Sequence, residues 1–240
     1  MCTVVVLHRP GHAWPVLFAA NRDERLDRPW DPPGRWWPDA PDVLAGRDRA
    51  GGGTWMALRR GVVAAVLNRP GSLGPAPGKL SRGALPLLAV RHGTAQAAAE
   101  AVARLDAGAY RTFNMVLADG AGAWFARGLG EGRPDVWPLG AGLHIVTAHD
   151  PNDPASERAM RHLPRFEAAP APDPAAGDWS AWTALLGDRT GPRMGAINVP
   201  PVDGFGTVCS SLVGIPAEGA PVWLFAAGPP GKARFERVPV

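Results

Sequence analysis

Cysteine is almost absent from this chain of 240 residues: only Cys2 and Cys209 occur. Two thiols so far apart in sequence cannot build the disulfide framework of a small secreted domain, and no paired spacing is present that would hold zinc or attach haem covalently. A reducing compartment, and with it a cytoplasmic location, is the expectation. Lysine is equally scarce, with Lys79 and Lys232 alone, so the positive charge is carried by arginine. The formal net charge is only +3, with a sequence pI near 9.4. The arginines are scattered among Asp and Glu from Arg9 to Arg237 instead of forming one stripe, which excludes nucleic acid as the leading partner. No apolar run approaches the length of a bilayer, and the start from Met1 to Pro10 has no cationic leader. Neither export nor an integral membrane segment is therefore expected.

A hydrophobic content of 46% over 240 residues is enough to bury a substantial core, and one large domain spanning 1–240 is the expectation. Proline, glycine, alanine and arginine are abundant throughout, so proline-rich stretches carry little weight as signs of disorder. Only 168–176 reads as a flexible linker.

β-Rich runs at Val4–Leu7 and Val16–Ala20 flank a Pro/Gly/His segment and predict an antiparallel hairpin whose turn centres near His12. Symmetric pairing about that point gives partner numbers summing to about 24, which sets Cys2 opposite Arg22 and Leu7 opposite Leu17. Further hairpins are predicted for Thr54–Leu58 with Val62–Leu67 and for Phe113–Ala118 with Ala123–Ala126. Between them, Gly83–His92 and Ala95–Leu105 predict two helices, with Ser81 and Thr94 at N-cap positions. A strand at Leu143–Thr147 precedes a helix predicted for Pro154–Phe166 with Asp153 as its cap, and another helix is predicted for Trp179–Leu186. A hairpin of Thr207–Gly214 with Val222–Ala226 closes the chain. Antiparallel strands interrupted by pairs of helices imply sheets stacked with helical layers.

A cysteine directly after the initiator methionine has a particular chemical potential. Removal of Met1 leaves a thiol nucleophile and an α-amino base on one residue, and that amine titrates at about 7.7 to 8.0, low enough to accept the thiol proton near neutrality. Arg22 opposite it favours thiolate by charge proximity, and Asp23 is placed to orient the amine or a water.

Met1-Cys2-Thr3 followed by Asn21-Arg22-Asp23-Glu24 resembles the signature of the NRDE family, the Transport and Golgi organisation type. Leu44-Ala-Gly-Arg-Asp48, Gly52-Gly-Thr-Trp55, Leu67-Asn-Arg69, Ser81-Arg-Gly83 and Phe113-Asn114 follow in the family's order, so the resemblance covers most of the chain. The family in turn resembles N-terminal-nucleophile hydrolases of the choloylglycine hydrolase and penicillin V acylase group. That resemblance implies an α+β fold, a four-layer αββα sandwich with two mainly antiparallel sheets between helical layers. It implies Cys2 as nucleophile, Arg22 as thiolate partner, Asp23 as orienting acid and Asn68 as oxyanion donor, with Asn21, Glu24, Trp55, Asn114 and His149 as substrate-binding residues. The implied activity is hydrolysis of non-peptide C–N bonds, or acyl transfer, on a small amide or thioester. No cofactor is required, and no metal site is expected. The alternative implied by the family is a non-catalytic carrier of haem or an acylated metabolite.

One departure stands out. Where hydrolases of this group carry Asn after a strand, this chain reads Val146-Thr147-Ala148-His149-Asp150, leaving His149 or Asn152 as substitute donors. Gly51-Gly52-Gly53 lacks the lysine and helix of a phosphate-binding loop and reads as a tight turn. Asp150-Pro-Asn-Asp153 lacks the glycine and terminal glutamate of a calcium loop and reads as helix capping. Cys209, in an alternating strand, reads as core, and becomes a haem ligand only if exposed.

Overall fold

Three consecutive β-branched valines and a leucine favour extended backbone in the first run, and β1 (Thr3–His8) pairs antiparallel with β2 (Val16–Arg25). Thr3 faces Asn21, Leu7 faces Leu17 and His8 faces Val16, which is the register that symmetric pairing predicts. The structure, a computed structural model, describes residues 2–240. After the hairpin come β3 (Trp30–Gly34), β4 (Leu44–Asp48), β5 (Met56–Arg59) and β6 (Val62–Asn68). Helices α1 (Ala84–Ala89) and α2 (Ala95–Val102) precede β7 (Phe113–Ala118), β8 (Ala123–Gly128) and β9 (Asp135–Leu139). The chain ends with β10 (Gly142–Val146), α3 (Glu157–Ala168), α4 (Ser180–Leu186), β11 (Phe205–Ile215), β12 (Val222–Ala226) and β13 (Glu236–Arg237).

These elements form two compact units. One joins the chain up to Arg28 with Ala141–Val240, and the other is Pro29–Gly140. The first unit holds an antiparallel sheet in the order β10-β1-β2-β11-β12-β13. Val5, Leu17, Ala19, Ile145 and Leu212 project from one face of it and pack with Ala159 and Phe166 of α3 and Trp182 and Leu186 of α4. The Phe166 and Trp182 rings meet edge to face at 5.3 Å. Each such fully buried side chain contributes roughly 1.5–3 kcal/mol through removal of apolar surface from water.

The second unit is a meander, β3 through β9 in sequence order. Val62, Ala64, Phe113, Met115 and Leu117 form one face of its sheet and pack against Leu85 and Ala89 of α1 and Ala98 and Val102 of α2. Alanine-rich α2 brings little side-chain bulk to this contact, and Thr94 caps it by accepting the Ala97 N–H, as predicted.

Two predicted helix starts move. α1 begins at Ala84 behind Gly83, and the Ser81 hydroxyl instead accepts the Gly83 N–H in the preceding turn. α3 begins at Glu157, because Ser156 accepts the Ala159 N–H, while the Asp153 carboxylate is used on the Ala155 N–H. The predicted linker at 168–176 is not loose. Asp173 and Asp178 exchange both backbone hydrogen bonds, and the Asp173 carboxylate takes the N–H groups of Ala175 and Ala176. Among the described residues no helix is long and apolar enough to cross a membrane.

Candidate active site around Cys2

Cys2 lies immediately before β1, where the register continues onto Arg22. Its Sγ donates to the backbone carbonyl of Asp23 at 3.6 Å. On the other side of β2, Arg22 pairs with Cys209 of β11. Side chains alternate along a strand, so Arg22 and Cys209 stand on the face of the sheet that α3 and α4 do not cover. Glu24, on the same side of β2 as Arg22, has its carboxylate 3.7 Å from both Arg22 and Arg28. The positive charge beside the sulfur is therefore shared with a carboxylate.

Burial pushes the Cys2 thiol above its ordinary value, and the Asp23 charge adds to the rise. The hydrogen bond to the Asp23 backbone and the Arg22 charge oppose it without reversing it. The Arg22 charge does act toward thiolate, as charge proximity implies, but burial and Asp23 outweigh it. Burial pushes the Cys209 thiol up as well, to about 12. Cys209 is 1% exposed and does not fit the role of a haem ligand. The α-amino base depends on removal of Met1, which lies outside the described residues.

Asp23 and Asn21 face α3 and α4. The Asp23 carboxylate accepts from Arg158 Nη1 of α3 at 3.0 Å and from the Thr207 hydroxyl at 2.6 Å. A bulge between Thr207 and Cys209 brings Thr207 opposite Asp23 while Cys209 keeps its place opposite Arg22. The same Arg158 nitrogen donates to the Thr3 hydroxyl at 2.8 Å. Asn21 is 1% exposed, donates to the carbonyls of Leu186 and Ile197 at 3.0 and 2.9 Å, and accepts from the Ser210 hydroxyl at 2.6 Å. Both amide hydrogens of Asn21 serve the scaffold, leaving none for a substrate.

On the outer side of β1, Val4 pairs with Val146, so continuation of that register brings Ala148 level with Cys2. The side chain there is a methyl group, which offers no hydrogen-bond donor. His149 is half-buried, and its backbone N–H donates to the Thr147 hydroxyl at 3.3 Å. The Asn152 amide is committed to the backbone. Its Oδ1 accepts the Ile145 N–H at 2.7 Å and its Nδ2 donates to the Leu143 carbonyl at 3.0 Å, covering the open edge of β10.

Three expected site residues belong to the second unit. Asn68 ends β6 opposite Phe113, and the register sets it on the face that α1 and α2 cover. Asn114, opposite Leu67, stands on the other face, fully buried, and accepts from Arg69 Nη1 at 2.6 Å. Asn68 and Asn114 therefore diverge. Trp55 meets Trp30 edge to face at 5.9 Å and lies over Gly46, where a Cβ would come within 2.3 Å of the indole.

Residues 1–223 match the family model for Transport and Golgi organisation 2, TANGO2. The chain belongs to the TANGO2 family. No curated protein matches this TANGO2-family chain by sequence. Among solved structures, it is similar to an N-acylethanolamine-hydrolyzing acid amidase (NAAA) ortholog from Caenorhabditis elegans. The two are 12% identical, with a TM-score of 0.61 over 90% of this chain and 94% of that one. The likeness is one of fold, and it bears out an α+β fold of N-terminal-nucleophile hydrolase type built on two antiparallel sheets.

Arg158 and Thr207 escaped the reading of the TANGO2-family sequence. Thr207 depends on a bulge that no local pattern announces. Arg158 does leave a signal: it shares a helical stripe with buried His162 and Phe166, where a cation needs a buried partner.

Proposed function

We propose that this TANGO2-family protein is an N-terminal cysteine amidohydrolase or acyltransferase, active once Met1 has been removed. The observation that carries this reading is the register that sets Cys2 beside Arg22, with the sulfur against the Asp23 carbonyl. The route is concerted. As Sγ attacks the carbonyl carbon of an amide or thioester, its proton passes to the α-amine of Cys2, and from there to the departing amine or thiol. The C–N or C–S bond breaks, leaving an acyl thioester on Cys2. Water then releases the acid, or an amine takes the acyl group, and the thiol is restored. The family resemblance alone assigns Asn68 as oxyanion donor, and its place on the face that α1 and α2 cover lends that role no support.

The name of the worm protein points to N-acyl amides as the first substrates to offer. Intact-protein mass spectrometry tests the reading. Loss of Met1 and a substrate-dependent acyl adduct that Cys2→Ala abolishes are expected. Retained Met1 together with an unreactive Cys2 overturns it.

Ala148 level with Cys2 supports a second reading, in which the protein binds haem or an acylated metabolite without turning it over. Saturable haem binding that survives Cys2→Ala, with no acyl adduct from any substrate offered, favours the carrier.

A further inference from the structure

Arg158 is buried on α3 with 4% of its side chain exposed, and the Asp23 carboxylate that it meets at 3.0 Å is fully buried. One guanidinium nitrogen makes both this contact and the hydrogen bond to Thr3. Thr3 follows Cys2 in the chain, and Asp23 offers its backbone carbonyl to the sulfur. The residue that fixes the cysteine through the backbone and the residue that meets its thiol are thus tied together from the opposite face of the sheet. Thr207 completes the arrangement by occupying the other carboxylate oxygen, Oδ1.

Stability alone is a poor account of this pair. Desolvating a guanidinium and a carboxylate offsets much of their attraction, and apolar residues of similar volume commonly serve a core as well or better. The location is specific: the pair lies beneath the only described thiol that is not fully buried.

We propose that Arg158 is a positioning residue for Cys2, which by joining Thr3 to Asp23 from beneath the sheet fixes the sulfur against the Asp23 carbonyl and beside Arg22. The purpose of this clasp rests on the nucleophile reading, whereas the geometry is that of the thiol itself. Arg22, Asp23 and Glu24 of β2, Cys209 of β11 and Arg158 of α3 are the charged or titratable groups grouped around this corner of the sheet. Asp23 is the group that works against thiolate formation, and Arg158 is its direct counter-charge.

The test is the rate at which iodoacetamide alkylates Cys2 in the full chain, followed from about pH 6 to about pH 10, a range that spans the ordinary thiol value. Arg158→Met removes the Arg158 counter-charge from the Asp23 carboxylate beside the sulfur. Its profile is expected to shift upward by about one pH unit, with alkylation at neutral pH slowed several-fold. Asp23→Asn added to Arg158→Met is expected to bring the profile back down. Arg158→Lys is expected to retain most of the wild-type profile, because a single nitrogen makes both contacts. Thr3→Val, which keeps the ion pair and removes the hydroxyl, is expected to give part of the shift. A folded Arg158→Met whose profile superimposes on wild type overturns the proposal. Should Arg158→Met not fold, an unchanged profile for Thr3→Val overturns it instead. Alkylation needs no substrate, so a protein that forms no acyl-enzyme but shows the Arg158 dependence refutes the hydrolase reading alone.

Discussion

Cys209 sits opposite Arg22 across β2 and β11, and burial pushes its thiol up to about 12 although that guanidinium pulls the other way. Cys2, half-buried at the end of the sheet, is the accessible thiol of the two. Mild iodoacetamide at neutral pH is expected to add one carbamidomethyl group to the folded protein and none to Cys2→Ala. A second group is expected only after unfolding, and peptide mapping checks the site.

Because burial and Asp23 raise the Cys2 thiol, the alkylation rate of the protein is expected to keep climbing beyond pH 9.0, the ordinary value, where a free cysteine levels off. A rate already flat at neutral pH would identify a preformed thiolate and contradict the proton-transfer route.

Asn21→Ala is expected to destabilise the protein by about 3 kcal/mol, since it strands the carbonyls of Leu186 and Ile197 and the Ser210 hydroxyl in a dry interior. Denaturant unfolding measures the loss. A change within about 0.5 kcal/mol, as for an ordinary surface site, would show that the amide is not structural.

Asn152→Ala is expected to cost about 1–2 kcal/mol. It removes the cover of the β10 edge and obliges alanine to take the positive φ of 56° that asparagine tolerates. Alkylation of Cys2 is expected to stay at the wild-type rate, which separates this edge role from one in the chemistry.

His162 on α3 is buried, with Nε2 2.9 Å from the Gly195 carbonyl and Nδ1 facing the Arg165 guanidinium at 3.3 Å. Burial lowers its value below the ordinary 6.5. The unfolded chain therefore takes up this proton before the folded one, and stability falls as pH drops below 6.5 toward the folded value. Thermal unfolding of wild type and His162→Gln across this range checks it: the variant is expected to lose the part of the pH dependence that His162 contributes.

The features of this fold that depend on neighbours in sequence were legible from the sequence. Two β-rich runs paired symmetrically about a short turn near His12 gave the Thr3 to Asn21 register, and through it the approach of Cys2 to Arg22. Helix starts were less so, because Ser156 competes with Asp153 for the role of cap and only the packed structure decides between them. The surroundings of Asp23 were invisible: Arg158 and Thr207 lie 135 and 184 residues away along the chain. Asn21 misled for a related reason. In a charged tetrapeptide it reads as a polar strand end, whereas its partners at 186, 197 and 210 bury it.

The second unit is one continuous stretch of chain, while the first is interrupted between Arg28 and Ala141. Emerging from a ribosome, the meander can complete its sheet while β1 and β2 have only each other, and a two-stranded hairpin alone is marginally stable in water. The strands that flank it, β10 and β11, and the helix that supplies Arg158 are all made later. The corner of the molecule encoded first is thus among the last to be assembled, and a chain truncated after Gly140 would carry Cys2 and Arg22 without the framework that holds them.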